Sequence, residues 1–233
     1  MPNPLMQYNR NKDTYEKISV ALSEVNSVFM NANRETQKAM MLDSTAFAVI
    51  SVQNSISILR RVFRGYCNAN GWGGVKDALK SANYGNKKFE YIKHNSEQIK
   101  SETGDEIIEC LEYGDIWEAV EIMVEQFKGV SWIKAPFIGA MLGFTGLMCI
   151  DTNVAQMVPG TKASDYRSGE EYREAVRKVK DEFPELSSQV SIFMLQWVVF
   201  DSNRGTSVAQ HEEWFEQMLP GSDFGRQQTI TGY

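Results

Sequence analysis

Residues Lys128–Val154, KGVSWIKAPFIGAMLGFTGLMCIDTNV, decide how this chain is read. The stretch opens on a glycine turn, continues into a short apolar helix carrying one lysine, turns again, and ends on an aspartate that starts the next helix. Pro136 is tolerated only in the first turn of a helix, so the second helix of this pair is expected to begin near Lys134–Ala135. Asp151 precedes an apolar-periodic segment and has the composition of an N-cap. Between Lys134 and Asp151 the only ionisable group is the thiol of Cys149.

This pattern suggests a specific chemistry. A lysine at the positive end of a helix, amid Val130, Trp132, Ile133 and Phe137, is in a poor place for a charge. Such an environment favours a neutral amine, which can attack a sugar C1′ and form a Schiff base. A carboxylate beside that carbon can stabilise an oxocarbenium-like transition state and help activate the nucleophile. The turn Gly129–Val130–Ser131–Trp132 can present consecutive backbone N–H groups to a phosphate of DNA. Each feature has a plainer alternative. Lys134 could be a surface lysine whose stem covers apolar neighbours, Asp151 a simple cap, and the turn a simple helix connection.

The flanking sequence is helical throughout. Apolar residues recur at helical spacing over Asp13–Asn31. Thr36–Phe63 is apolar enough to be a central helix or helix pair, buried on most sides. Gly65–Asn86 is rich in glycine and asparagine, with a short helix expected at Val75–Ser81. Further helices are expected over Lys87–Lys100, Asp105–Tyr113, Asp115–Phe127, Ser168–Glu182 (opened by a capping box), Glu185–Phe200 and near Val208–Met218. No strand alternation or internal repeat is evident. The expected fold class is all-α, with residues 35–127 as a central lobe and residues 1–34 with 128–233 as a second lobe.

Composition narrows the partners. Cys67, Cys110 and Cys149 form no CxxC pair and no even framework, which excludes a four-cysteine metal or iron–sulfur site within one chain. No cofactor or metal is expected, and the setting is expected to be intracellular. No apolar run approaches the ~20 residues of a membrane span. The formal net charge of −6 is unevenly distributed. Residues 60–100 carry nine Lys/Arg against three Asp/Glu, whereas residues 101–127 carry nine Asp/Glu and no Lys/Arg. The basic segment suits a phosphate backbone. Alternatively, the two segments are solvated helix faces that meet each other.

Lys128–Val154 resembles the helix-hairpin-helix motif and catalytic aspartate of the helix-hairpin-helix DNA glycosylase superfamily. GVSWIKA stands for the turn and lysine, and CIDTNV for the aspartate segment. The closest resemblance is to the lysine-bearing 8-oxoguanine DNA glycosylase/AP lyases, including the archaeal type, whose helical layout and length agree with most of the chain. Ser131 stands where the family turn has its second glycine, and one extra residue precedes Lys134.

The resemblance implies Lys134 as Schiff-base nucleophile, Asp151 as catalytic carboxylate, and monomeric action on double-stranded DNA holding a damaged base. Gln196 and Phe200, four apart on one helical face, are then expected in the base pocket, with Trp197 adjacent. Asn70 and Trp72 are expected in a wedge loop entering the DNA, flanked by Arg64 and Lys76. The alternative places these aromatics in the core and makes the loop structural. Two further function classes stand beside the bifunctional enzyme: a non-enzymatic hairpin module that binds DNA, and a monofunctional glycosylase acting on another modified base.

Overall fold

The computed structural model describes residues 3–205. Among them no strand occurs, and the helices run α1 (Pro4–Arg10), α2 (Lys12–Asn31), α3 (Arg34–Ser51), α4 (Ile56–Cys67), α5 (Gly71–Leu79), α6 (Gly85–Lys100) and α7 (Glu102–Tyr113). They continue as α8 (Ile116–Gln126), α9 (Lys134–Met141), α10 (Thr152–Met157), α11 (Gly169–Glu182), α12 (Pro184–Ser187) and α13 (Ile192–Arg204). The all-α expectation holds. The helix expected near Val208–Met218 lies outside the described residues. No helix among the described residues is long and apolar enough to cross a membrane.

α3 is the hub. It packs against α4, α6, α7 and α9, and Met41, Ala46, Ala48 and Ile50 on it are fully buried. The expected Thr36–Phe63 segment is a helix pair, broken at residues 52–55. Gln53 adopts a left-handed φ of 56°, Asn54 returns its Nδ2 to the Ile50 carbonyl at 2.7 Å, and Ser55 caps α4 through the Ile58 N–H. Phe137 of α9 stacks on Phe47 of α3 at 5.9 Å and meets Phe193 of α13 at 6.1 Å. These aromatic contacts join the hairpin helix to α3 on one side and to α13 on the other.

Several boundaries differ from expectation. The helix expected at Val75–Ser81 begins earlier, at Gly71, so the glycine-rich stretch around Trp72 is helical. Gly65 lets α4 and α5 approach closely, since a Cβ there would come within 3.0 Å of the Ala78 Cβ. The single helix expected over Glu185–Phe200 is two, because Ser191 caps a new helix through the Met194 N–H at 3.3 Å. Asp115 sits at the N-cap of α8 without a side-chain capping bond. Ser168 does cap α11, through the Glu171 N–H at 3.2 Å, and the Glu171 carboxylate reaches back to the Arg167 N–H at 2.7 Å.

The acids of α7 pair with α3: Lys38 lies 2.9 Å from Asp105, and Arg34 3.4 Å from Glu112. In the basic segment, Arg60, Arg61, Arg64, Lys76, Lys80, Lys87, Lys93 and Lys100 are exposed. The ninth cation, Lys88, is buried.

Candidate active site

The hairpin is held from below by α6. Asn95, fully buried, accepts the Lys128 N–H at 2.8 Å and donates to the Lys128 carbonyl at 3.1 Å. Gly129 adopts φ +72° directly over the Tyr91 ring, where a Cβ would overlap the ring carbons. Both features require glycine. Gly129→Ala is therefore expected to destabilise the fold by at least about 2 kcal/mol, combining left-handed strain with overpacking. An unchanged urea midpoint would show that the turn rearranges without cost.

Ser131 explains how the turn closes without a second glycine. Its carbonyl accepts the N–H groups of Lys134 and Ala135, at 2.8 and 2.9 Å, and its hydroxyl accepts that of Ile133 at 3.4 Å. Trp132 stacks on Tyr172 of α11 at 6.5 Å, tying the turn to the C-terminal half of the chain. Val130 is buried beneath the turn, while Gly129 and Ser131 are exposed.

α9 begins at Lys134, as Pro136 required. The Lys134 side chain is half-buried, its Nζ 5.7 Å from the centre of the Phe137 ring. The amine crosses to α3 and donates to the Ser51 hydroxyl at 3.0 Å. Ser51 in turn donates to the Ala48 carbonyl at 2.8 Å, which fixes its lone pair toward the amine.

Asp151 caps α10. Its Oδ1 accepts the N–H groups of Asn153 and Val154 at 2.9 and 3.0 Å, and its Oδ2 accepts the Asn153 side-chain amide at 3.2 Å. The segment leading to it is clamped from two directions. The Tyr172 hydroxyl accepts the Ile150 N–H and donates to the Met148 carbonyl, both at 2.9 Å. The Gln196 Oε1 accepts the Cys149 N–H at 2.7 Å. Burial raises the pKa of the Tyr172 hydroxyl well above the usual phenol range, so it stays a neutral donor.

Lys134 and Asp151 both lie within electrostatic reach of Cys149. Burial pushes this thiol up to about 12, with the Lys134 charge pulling it down and the Asp151 charge pushing it up. Both charged groups are therefore near one buried sulfur. With its thiol protonated at neutral pH, Cys149 does not compete as a nucleophile.

The other sequence-derived assignments fare unevenly. Gln196 is 4% exposed and its oxygen is engaged by the backbone, so that oxygen does not read a base edge. Phe200 is half-buried, with the Arg204 guanidinium 5.2 Å from its ring centre. Trp197 packs edge-on between Phe193 and Phe200. Trp72 is not on a loop. It lies in the first turn of α5, half-buried edge-on against Phe89 at 6.1 Å, whereas Asn70 is the exposed N-cap residue in the connection just before that helix. Arg64, Lys76 and Asn70 are exposed on the surface of α4 and α5.

Sequence reasoning missed the turn that faces Lys134. Residues 52–55 and 80–84 form two adjacent loops: the Asn83 N–H donates to the Asn54 Oδ1 at 3.0 Å, and the Asn83 side chain to the Gln53 carbonyl. Each loop carries one exposed left-handed residue, Gln53 with φ 56° and Tyr84 with φ 57°. Tyr84 is 67% exposed, unusual for a large aromatic. No local pattern in the sequence marks either residue.

No family model matches the chain, and no curated protein matches it. Among solved structures, the 8-oxoguanine DNA glycosylase of Thermotoga maritima is similar, with a TM-score of 0.67 at 13% sequence identity. The likeness covers 85% of this chain and 94% of that one. The chain thus has the all-α fold seen in that glycosylase.

Proposed function

We propose that this protein is a DNA glycosylase that extrudes a damaged base from duplex DNA, cleaves its N-glycosidic bond and nicks the strand through a Schiff base on Lys134. The observation that carries the proposal is the placement of Lys134 and Asp151. The lysine opens the second hairpin helix, the aspartate opens α10, and the charges of both reach the one buried thiol of Cys149 between them in sequence. The likeness to a solved 8-oxoguanine glycosylase supports an oxidised purine as the substrate.

In this reading the Lys134 amine attacks C1′, the base departs with the glycosidic electron pair, and the sugar ring opens to an imine. Loss of a proton from C2′ then expels the 3′ phosphate. Asp151 offsets the positive charge that develops at C1′. The N–H groups of Gly129–Trp132 face a DNA phosphate, and the exposed cations of α4–α6 extend the grip on the backbone. Residues 35–127 act as one lobe and residues 1–34 with 128–233 as the other, with one protein molecule per lesion. Phe200 and Trp197 supply stacking surface for the base. Gln53, two residues after Ser51, and Tyr84, exposed on the adjoining loop, join Asn70 and Trp72 as groups that enter the DNA.

A panel of duplexes, each with one lesion, tests this. Excision and strand nicking are expected, strongest for 8-oxoguanine. Abasic products without nicks would identify a monofunctional hydrolase. Tight duplex binding with no excision from any substrate would leave only a DNA-binding module.

A further inference from the structure

Lys88 is the one cation of the basic segment that does not reach solvent. It lies in the first turns of α6, and its Nζ donates to the carbonyls of Ile50 at 3.0 Å and Val52 at 2.5 Å. Between those two carbonyls sits Ser51, whose hydroxyl receives the Lys134 amine at 3.0 Å. Two lysines from different helices thus grip the same three-residue turn, one by its backbone and one by its side chain. Burying an ammonium is costly, and the carbonyls at the end of α3 offset that cost only with hydrogen bonds and the negative end of the helix dipole.

We propose that Lys88 is a positioning residue for the reaction at Lys134: by holding the carbonyls of Ile50 and Val52 it clamps the turn that presents the Ser51 hydroxyl to the amine. This rests on the glycosylase–lyase reading above. Burial, then the Lys134 charge, pull Lys88 down to about 8. The charged group nearest Lys88 in effect is Lys134 from α9, which in turn acts on the Cys149 thiol together with Asp151 ahead of α10. Lys87, next to Lys88 on α6, turns away over the Tyr91 ring at 5.5 Å. A neutral amine is what the chemistry needs. Its nitrogen bonds to C1′ of an abasic aldehyde, and both amine hydrogens leave with the aldehyde oxygen as water. Borohydride then delivers hydride to the imine carbon and fixes the adduct.

The test uses the full-length protein and a duplex with a natural aldehydic abasic site, so no base need be recognised. The rate of borohydride trapping is measured from pH 5 to 9. Lys88→Met removes the donors to the Ile50 and Val52 carbonyls at similar side-chain length. It is expected to slow trapping about tenfold at every pH while leaving duplex affinity unchanged. Lys88→Arg keeps the donors and should restore most of the rate. Ser51→Ala, at a partly exposed turn, should slow trapping similarly and leave little further loss for Lys88→Met to cause, and it keeps the assignment open to test if Lys88→Met does not fold.

Full-rate trapping in folded Lys88→Met, no recovery in folded Lys88→Arg, or full-rate trapping in Ser51→Ala would overturn the assignment. Absence of any adduct with the wild-type protein would instead overturn the lyase reading itself, and this inference with it.

Discussion

Lys134→Gln is expected to abolish the borohydride-trapped protein–DNA adduct and to cut strand nicking by at least about 1,000-fold, as loss of a nucleophile does elsewhere. The amine has no substitute within the site. Cys149 is held as a thiol by burial, and the Lys88 amine is engaged by two carbonyls of α3. The change should cost little stability. Lys134 is half-buried in the first turn of a helix, and its amine donates to a side-chain hydroxyl. A shift in unfolding free energy within about 1 kcal/mol is expected. Undiminished trapping in this variant would refute Lys134 as the nucleophile.

For Asp151→Asn the expected result is intact folding and DNA binding, with base excision slowed by on the order of 100- to 1,000-fold. The structure makes this substitution a clean separation of two roles. As a cap, Asp151 accepts two backbone N–H groups through a single oxygen, Oδ1. Asparagine accepts those bonds about as well, so α10 should be retained. Only the charge near C1′ is lost. Excision at the wild-type rate, with a normal melting curve, would reduce Asp151 to a cap. Asp151→Ala would not discriminate, since it removes the cap and the charge together.

The two catalytic candidates were legible because each is marked by a local rule. Proline at 136 limits where α9 can begin, and α9 begins at Lys134. The IDTN pattern is a capping pattern, and Asp151 caps. The glycine turn was legible for the same reason, and φ +72° at Gly129 bears it out. Ser131, in place of a second glycine, closes the turn through its carbonyl and hydroxyl.

The residues whose surroundings the sequence did not foretell are those whose neighbours are distant along the chain. Gln196 stands four residues before Phe200 on an apolar helix, which fits a base pocket equally well as a core. What decides its oxygen is the Cys149 N–H, 47 residues away in sequence. Trp72 lies in a run of glycine and asparagine that reads as a loop. Close packing of α4 on α5 at Gly65, together with Phe89 against the indole, makes that run helical instead. Lys88 was indistinguishable from the other cations of a polar helix. Its burial follows from the end of α3 lying over α6, with carbonyls in reach.

Helix class, the start of α9 and the cap of α10 were therefore set by the sequence alone, because they depend on backbone preferences and on interactions within about one helical turn. Which polar groups face Lys134 was decided only in three dimensions. Ser51 and Lys88 are 83 and 46 residues from Lys134 along the chain. They meet the lysine only because buried aromatic contacts fix α9 against α3, and α6 packs under both the hairpin and the end of α3. Hydrogen bonds and like-charge repulsion between such residues act through space, so no local pattern in the chain encodes them.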